Sequence, residues 1–146
     1  MKRLVIAACL MLVIKSIGVD KIPSTKYSRK EIKCLVDNIY YEARGEPFEG
    51  QILVGVVTLN RAENGKICNA VYAPNQFSWT RMGFRHRPRD IEAYRASFDA
   101  AMYSFTGKYG EDILYFHSRH IRPKWVHGKV FYKRIGNHIF YTERNK

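Results

Sequence analysis

Glu42 has the clearest claim to chemistry in this chain. At about 100° of rotation per helical residue, it falls at the border of the apolar stripe formed by Leu35 and Ile39, one turn before Gly45 and Pro47 end the helix. A carboxyl at the rim of an apolar face and at the negative end of a helix dipole keeps its proton to higher pH than a solvated one, as a general acid requires. Most carboxylates on amphipathic helices are simply solvated, so spacing alone leaves both readings open. Glu46 and Glu49 lie beyond the Gly45-Pro47 break, where helical spacing no longer relates them to Glu42. The five histidines, His86, His117, His120, His127 and His138, raise zinc chemistry instead. Against it, the chain has no H-E-x-x-H, no acidic residue at ligand spacing from them and no CxxC pair. Nor is there a G-x-S-x-G to present a serine nucleophile. The basic run Arg81, Arg85, His86, Arg87 and Arg89 suits either a non-enzymatic grip on a polyanion or a solvated loop.

The elements that must position these residues follow from periodicity. Ser28-Arg29-Lys30-Glu31 has the form of a capping box, in which hydroxyl and carboxylate satisfy reciprocal backbone donors. Ile32, Leu35, Val36, Ile39 and Ala43 then predict an amphipathic helix from Arg29 to Arg44. Pro47 suits the first position of a second helix, with Ile52, Leu53, Val56 and Val57 as its buried face. Residues 64–90 read as loop, after which Ile91, Tyr94, Phe98, Met102 and Phe105 predict the buried face of a third helix ending near Gly107. In the last third, the runs at 113–116, 130–132 and 138–141 are aromatic and β-branched, and are separated by Pro123, Gly128 and Gly136-Asn137. They read as short strands that include a hairpin. Helices first and strands later define an α+β domain without βαβ alternation.

A chain of 146 residues, 46% hydrophobic and 26% charged, has the size and composition of one ordered domain, which excludes intrinsic disorder. Its 25 Lys and Arg against 13 Asp and Glu give a formal charge of +12 and call for an anionic partner without naming it. The beginning of the chain narrows that choice. Met1-Lys2-Arg3 is basic, and the apolar run Leu4 to Ile14 falls short of the roughly 20 residues that span a bilayer. With the small residues Ser16 and Gly18 after it, residues 1–18 are expected to be a signal peptide, or else a short membrane arrest segment or a buried first helix. Residues 19–27 read as a linker and 28–146 as the single folded domain. Export removes Lys2, Arg3 and Lys15 and points the remaining charge at anionic envelope polymers, with no role for nucleic acid. It also removes Cys9, leaving Cys34 and Cys68 as an even pair in an oxidising compartment. A Cys34–Cys68 disulfide is expected, with two buried thiols as the alternative; on the chain-entropy account it would stabilise the fold by roughly 3–4 kcal/mol.

Tyr40-Tyr41-Glu42-Ala43-Arg44-Gly45-Glu46-Pro47, followed by Gly50-Gln51 and Val57-Thr58-Leu59-Asn60-Arg61, resembles the core of the spore cortex-lytic type of cell-wall hydrolase. The resemblance continues through 76–79, 115–117, 123–125 and 134–141, and so covers most of residues 34–141. It implies a lysozyme-like, lytic-transglycosylase-like catalytic domain that cuts peptidoglycan glycan strands between N-acetylmuramic acid and N-acetylglucosamine, expected to act as a monomer without metal or cofactor. The first glutamate of the E-A-R-G-E segment is the family's catalytic acid, here Glu42, and 1,6-anhydromuramic acid ends mark the reaction as lytic transglycosylation. One carboxylate can serve both proton transfers of that reaction. A hydrolytic muramidase would ordinarily add a second, roughly 5–5.5 Å away for retention or 6.5–9.5 Å for inversion. Glu46, Glu49 and Glu63 are the candidates, although Glu46 also suits capping the second helix or pairing with Arg44 or Arg61. Gln76, Ser78 and Trp79 suit a sugar cleft, with a packed Phe77/Trp79 loop anchor as the alternative for the aromatics. Asn60 caps the second helix or touches substrate. Tyr115 and His117 share a strand face and line the cleft, unless His117 is a hydrogen-bonded structural histidine. Trp125 and Tyr141 read as core. A zinc amidase cutting the peptide stem and a non-enzymatic binder of wall polymer or nucleic acid are the competing classes. The setting is either a bacterium's own envelope or phage lysis.

Overall fold

The computed structural model describes residues 26–81, 87–110 and 112–143. The N-terminal apolar run with Cys9, Ser16 and Gly18, most of the expected linker, and Arg85 and His86 of the basic run lie outside them. Ser28 starts α1 (Arg29–Ala43) by accepting a hydrogen bond from the Glu31 N–H at 3.2 Å. The reciprocal half of the capping box does not form, because the Glu31 carboxylate accepts the Cys68 N–H at 2.7 Å instead. That bond lies beside a disulfide between Cys34 and Cys68, whose Cα atoms are 5.3 Å apart. Together they fasten α1 to α3 (Ile67–Tyr72), a six-residue helix inside the stretch that reads as loop. A helix so short offers too few turns to show a period, and its position comes from these distant partners.

Helix α2 (Phe48–Arg61) is the centre of the molecule, buried on all sides from Gly50 to Thr58. Pro47 stands just before it as a flanking residue, not as its first helical position. Against α2 lies α4 (Ile91–Ser104), and here the expected apolar set is corrected in part: Tyr94, Met102 and Phe105 pack against the core, but Ile91 and Phe98 do not. Ile91 is 75% exposed and Phe98 44%, whereas Ser97, Ala100, Ala101 and Ser104 are buried. The cause is a close approach: a Cβ built on Gly55 of α2 would sit 2.9 Å from Ser104 Oγ and 3.0 Å from Ile39 Cδ1. Only small residues of α4 fit at that distance, and the serines satisfy their hydroxyls within their own helix, Ser97 on the Ala93 carbonyl and Ser104 on that of Ala101. Tyr94 still turns inward and donates its hydroxyl to Asp37 at 2.8 Å.

Strands β1 (Ile113–Ser118), β2 (Lys129–Ile135) and β3 (His138–Glu143) form an antiparallel sheet in the order β1-β3-β2. The β2–β3 hairpin is thus joined by β1 along the free side of β3. Irregularities at Leu114 and Tyr132 shift the register on both sides of β3. Each inserts one residue and so reverses which face the following side chains occupy. Phe140, Ile113 and Ile135 face the helices and are buried. Tyr115, His117, Tyr141 and Phe131 take the other face. Among the described residues no helix is long and apolar enough to cross a membrane.

Candidate active site

Where the C-terminal turn of α1 meets the end of α2, the 76–78 loop and the edge strand β1, the molecule has a cavity of about 780 Å³. Glu42 reaches it from α1, Asn60 and Arg61 from α2, Gln76, Phe77 and Ser78 from the loop, residues 114–117 from β1, and Trp125 from the turn before β2. Glu42 is half-buried and, among the described residues, has no hydrogen-bond partner. Burial pushes its pKa up to about 7, and the nearby Arg61 charge opposes that rise. The sequence argument expects the direction, partly from the helix dipole; burial is its main cause.

Arg61 is the cavity residue to which sequence reasoning gives no role in the cleft. Its Nε donates to the Leu114 carbonyl at 2.8 Å, a group at the register shift of β1, and its Nη1 donates to Gln76 Oε1 at 3.3 Å. The guanidinium also lies against the rings of Phe77, at 5.7 Å, and Tyr115, at 5.8 Å. One planar fork therefore ties α2, the loop and the sheet edge together behind the carboxyl. The available signal is a basic residue closing an otherwise apolar helix, a position more often simply solvated.

The other expected site residues divide. Gln76, Ser78, Tyr115, His117 and Asn60 all line the cavity. Asn60 does not cap a helix: its amide donates to the carbonyls of Gly110 at 3.1 Å and Ile113 at 3.0 Å, holding β1 against α2. His117 is buried, with Nδ1 2.7 Å from the Ser118 carbonyl, which can only accept. Its Nε2 then accepts from the Tyr141 hydroxyl at 3.0 Å in the neutral ring, the arrangement of a structural histidine at the cleft wall. Tyr115 turns its hydroxyl to Glu143.

Glu46 is not in the cleft, and it neither caps α2 nor pairs with Arg44 or Arg61. Its carboxylate accepts from Asn137 N at 2.8 Å and Asn137 Nδ2 at 3.0 Å, clasping the β2–β3 turn to the α1–α2 corner and lying below its usual pKa for that reason once burial is offset. Gly136 permits the contact, with φ at +53° and no room for a Cβ between the Glu46 carboxylate and Pro47. Glu49 is also spent elsewhere, on Lys133 at 2.8 Å and Tyr109 at 3.3 Å. Glu63 does line the cavity.

Of the two readings of Trp79 the structure favours the packed loop anchor, while Trp125 departs from its expected place in the core. Trp79 is 6% exposed and lies in the core, its Nε1 donating to Asn38 Oδ1 at 2.9 Å and its ring stacked on Tyr41 at 4.7 Å. Asn38 is fully buried and its Nδ2 is already given to Thr58 Oγ1, so its oxygen needs an interior donor. Trp125, expected in the core, is 40% exposed and forms part of the cleft wall. It rests on Tyr115 at 5.6 Å and Tyr141 at 5.9 Å. Among the described residues no three His, Cys, Asp or Glu side chains come together as a metal-binding group.

This fold, helices packed on a central buried helix beside a small antiparallel sheet, is matched by two solved catalytic domains. That of the germination-specific lytic transglycosylase SleB from Bacillus anthracis superposes with a TM-score of 0.64 at 28% identity, covering 81% of this chain and 98% of that one. That of the Bacillus cereus SleB protein gives 0.62 at 26% identity, covering 81% and 94%. The chain belongs to the cell wall hydrolase family, whose pattern it matches over residues 45–141. It is 30% identical over 118 residues to the spore cortex-lytic enzyme of Bacillus subtilis (strain 168), which is 78% of this chain and 38% of that protein. The corresponding enzyme of Halalkalibacterium halodurans is 31% identical, over 78% of this chain and 35% of that protein. The chain therefore spans well under half the length of these curated relatives. The family match begins at Gly45, just after Glu42, and the longer matches to the curated relatives extend across that position.

Proposed function

We propose that this chain is an exported lytic transglycosylase that cuts peptidoglycan between N-acetylmuramic acid and N-acetylglucosamine. The observation that carries this reading is the Glu42 carboxyl, half-buried in an aromatic-walled cleft with its pKa raised to about 7 and with no described group to hydrogen-bond it. Protonated Glu42 donates to the glycosidic oxygen as the bond to muramic acid C1 breaks through an oxocarbenium-like state. The carboxylate left behind takes the proton from the C6 hydroxyl as that oxygen closes on C1, so Glu42 ends the cycle protonated and no water is consumed. Arg61 stabilises the carboxylate in the interval between those transfers. Export and a basic surface suit an anionic envelope as the place of action.

Glu63, the other carboxylate on the cavity wall, supports a second reading in which water is activated and the muramidase outcome results. Mass spectrometry of the fragments released from purified peptidoglycan decides between them. Anhydromuramic ends are expected; reducing muramic acid ends that vanish in a Glu63→Gln variant would establish hydrolysis, and free stem peptides would mark an amidase.

The pH profile tests the pairing of Glu42 with Arg61. Because the acid must start protonated, kcat/KM is expected to fall as pH rises through about 7. Arg61 favours the charged form, so Arg61→Gln should move that limb to higher pH, while Arg61→Lys, which keeps the charge, should leave it near the wild-type position. A limb that stays put in both variants would remove Arg61 from the site's electrostatics.

A further inference from the structure

The outer face of the sheet exposes more aromatic surface than the cleft uses. Phe131 on β2 is 60% exposed and packs edge-on against Tyr141 at 6.3 Å. Tyr141, itself buried, in turn touches Trp125, and Trp125 touches Tyr115, both of which line the cavity. A continuous strip of rings thus leaves the cleft and crosses the sheet.

The exposure of Phe131 is set by the strand. Phe131 pairs with Tyr141, Lys133 with Phe140 and Ile135 with His138, so Tyr132 is the extra residue. Without it, simple alternation would put Phe131 on the same face as the buried Ile135, against the helices. The inserted residue sends Phe131 outward and brings Arg134, opposite Ile139, to the same outer face. A ring and a guanidinium are therefore displayed side by side at the end of a strip that begins in the cleft.

We propose that the glycan strand continues from the cleft over this face, stacking a sugar ring on Phe131 at a subsite remote from the bond that is cut, with Arg134 meeting a carboxylate of a stem peptide on the strand. The proposal rests on the reading of the cleft as a peptidoglycan site. Continuity favours this occupant, since Tyr115 and Trp125 belong to both surfaces, and so does the formal charge of +9 that remains to face an anionic polymer once Lys2, Arg3 and Lys15 are removed. A lipid surface fits less well: inserting Phe131 would take the neighbouring Lys129–Glu143 pair and Arg134 into the bilayer with it.

The test compares Phe131→Ala with the parent protein, both in a Glu42→Gln background so that strands are bound and not consumed. The probes are long, uncross-linked glycan strands bearing stem peptides and a tetrasaccharide that fills the cleft alone. Affinity for the long strands is expected to fall about fivefold, the worth of desolvating one face of a phenyl ring, with the tetrasaccharide unaffected and Phe131→Tyr restoring the strand affinity. Equal affinity of the variant for long strands would overturn the subsite, and so would an equal loss on both probes. Retained strand binding with lost binding to phosphatidylglycerol vesicles would reassign the face to lipid. Cleavage by the protein with Glu42 intact is measured separately on the tetrasaccharide and on long strands; its absence on both would sink the glycosidase reading while the binding comparison still reports on Phe131.

Discussion

Glu42→Gln is expected to lower the rate of glycan cleavage by about 10²–10⁴-fold, the usual contribution of a general acid. The amide has nearly the same volume as the acid, and among the described residues Glu42 gives up no hydrogen bond when it changes. Burial already disfavours the charged form of the native side chain, so the neutral replacement asks less of the fold at neutral pH than a carboxylate does. The melting temperature should therefore hold or rise, and binding of the tetrasaccharide should persist. Lost turnover with intact folding and binding is the signature of a chemical role. An unchanged rate would mean that another group supplies the proton, with Glu63 the first to examine. Lost binding together with lost turnover would instead make Glu42 a sugar contact.

What sequence reasoning recovers here, and what it misses, follows from the range of the interactions involved. The ends of α1 rest on neighbours within four residues, Ser28 with the Glu31 amide at one end and the Gly45-Pro47 break at the other, so the helix and the placing of Glu42 on its rim could be read directly. The strands were legible because aromatic and β-branched runs stood between Pro and Gly. The buried face of α4 was not, since reading burial from side-chain size selects Ile91 and Phe98, whereas contact with Gly55 selects alanine and serine. Nothing in the 91–104 segment reports where that glycine lies. Glu46 and Arg61 show the same limit within the site. Glu46 finds its partner 91 residues away in Asn137, and Arg61 finds the Leu114 carbonyl 53 residues away. The resemblance places both residues in segments that follow the family's order without saying which one faces substrate. Their division into a clasp and a member of the cleft becomes visible only once α2 and the sheet edge are in place.

Trp79→Ala is expected to destabilise the protein by about 3–5 kcal/mol, as truncation of a large buried aromatic does, and to lower the melting temperature by roughly 10–20 °C. The size of the effect comes from two sources. The cavity removes the stacking on Tyr41 and the edge contact with Tyr72, and the buried Asn38 oxygen loses the indole donor. Trp79→Phe separates them in part, because it keeps a six-membered ring for the contact with Tyr41 while removing the N–H together with the rest of the indole; the oxygen left without that donor should account for about 1–3 kcal/mol of a loss smaller than that of the alanine variant. Both variants test the correction that moves Trp79 from the cleft to the core. If the ring stacked on sugar, KM would rise and stability would hold. If it anchors the 76–78 wall from behind, stability falls first, and at temperatures where Trp79→Phe is still folded its KM should match that of the parent. The wall itself gives a finer check, since Gln76 and Ser78 flank a segment held inward at Phe77 and Trp79. Any activity lost by the folded Phe variant should therefore be recovered on cooling, as the anchored loop returns to the position in which Gln76 meets Arg61.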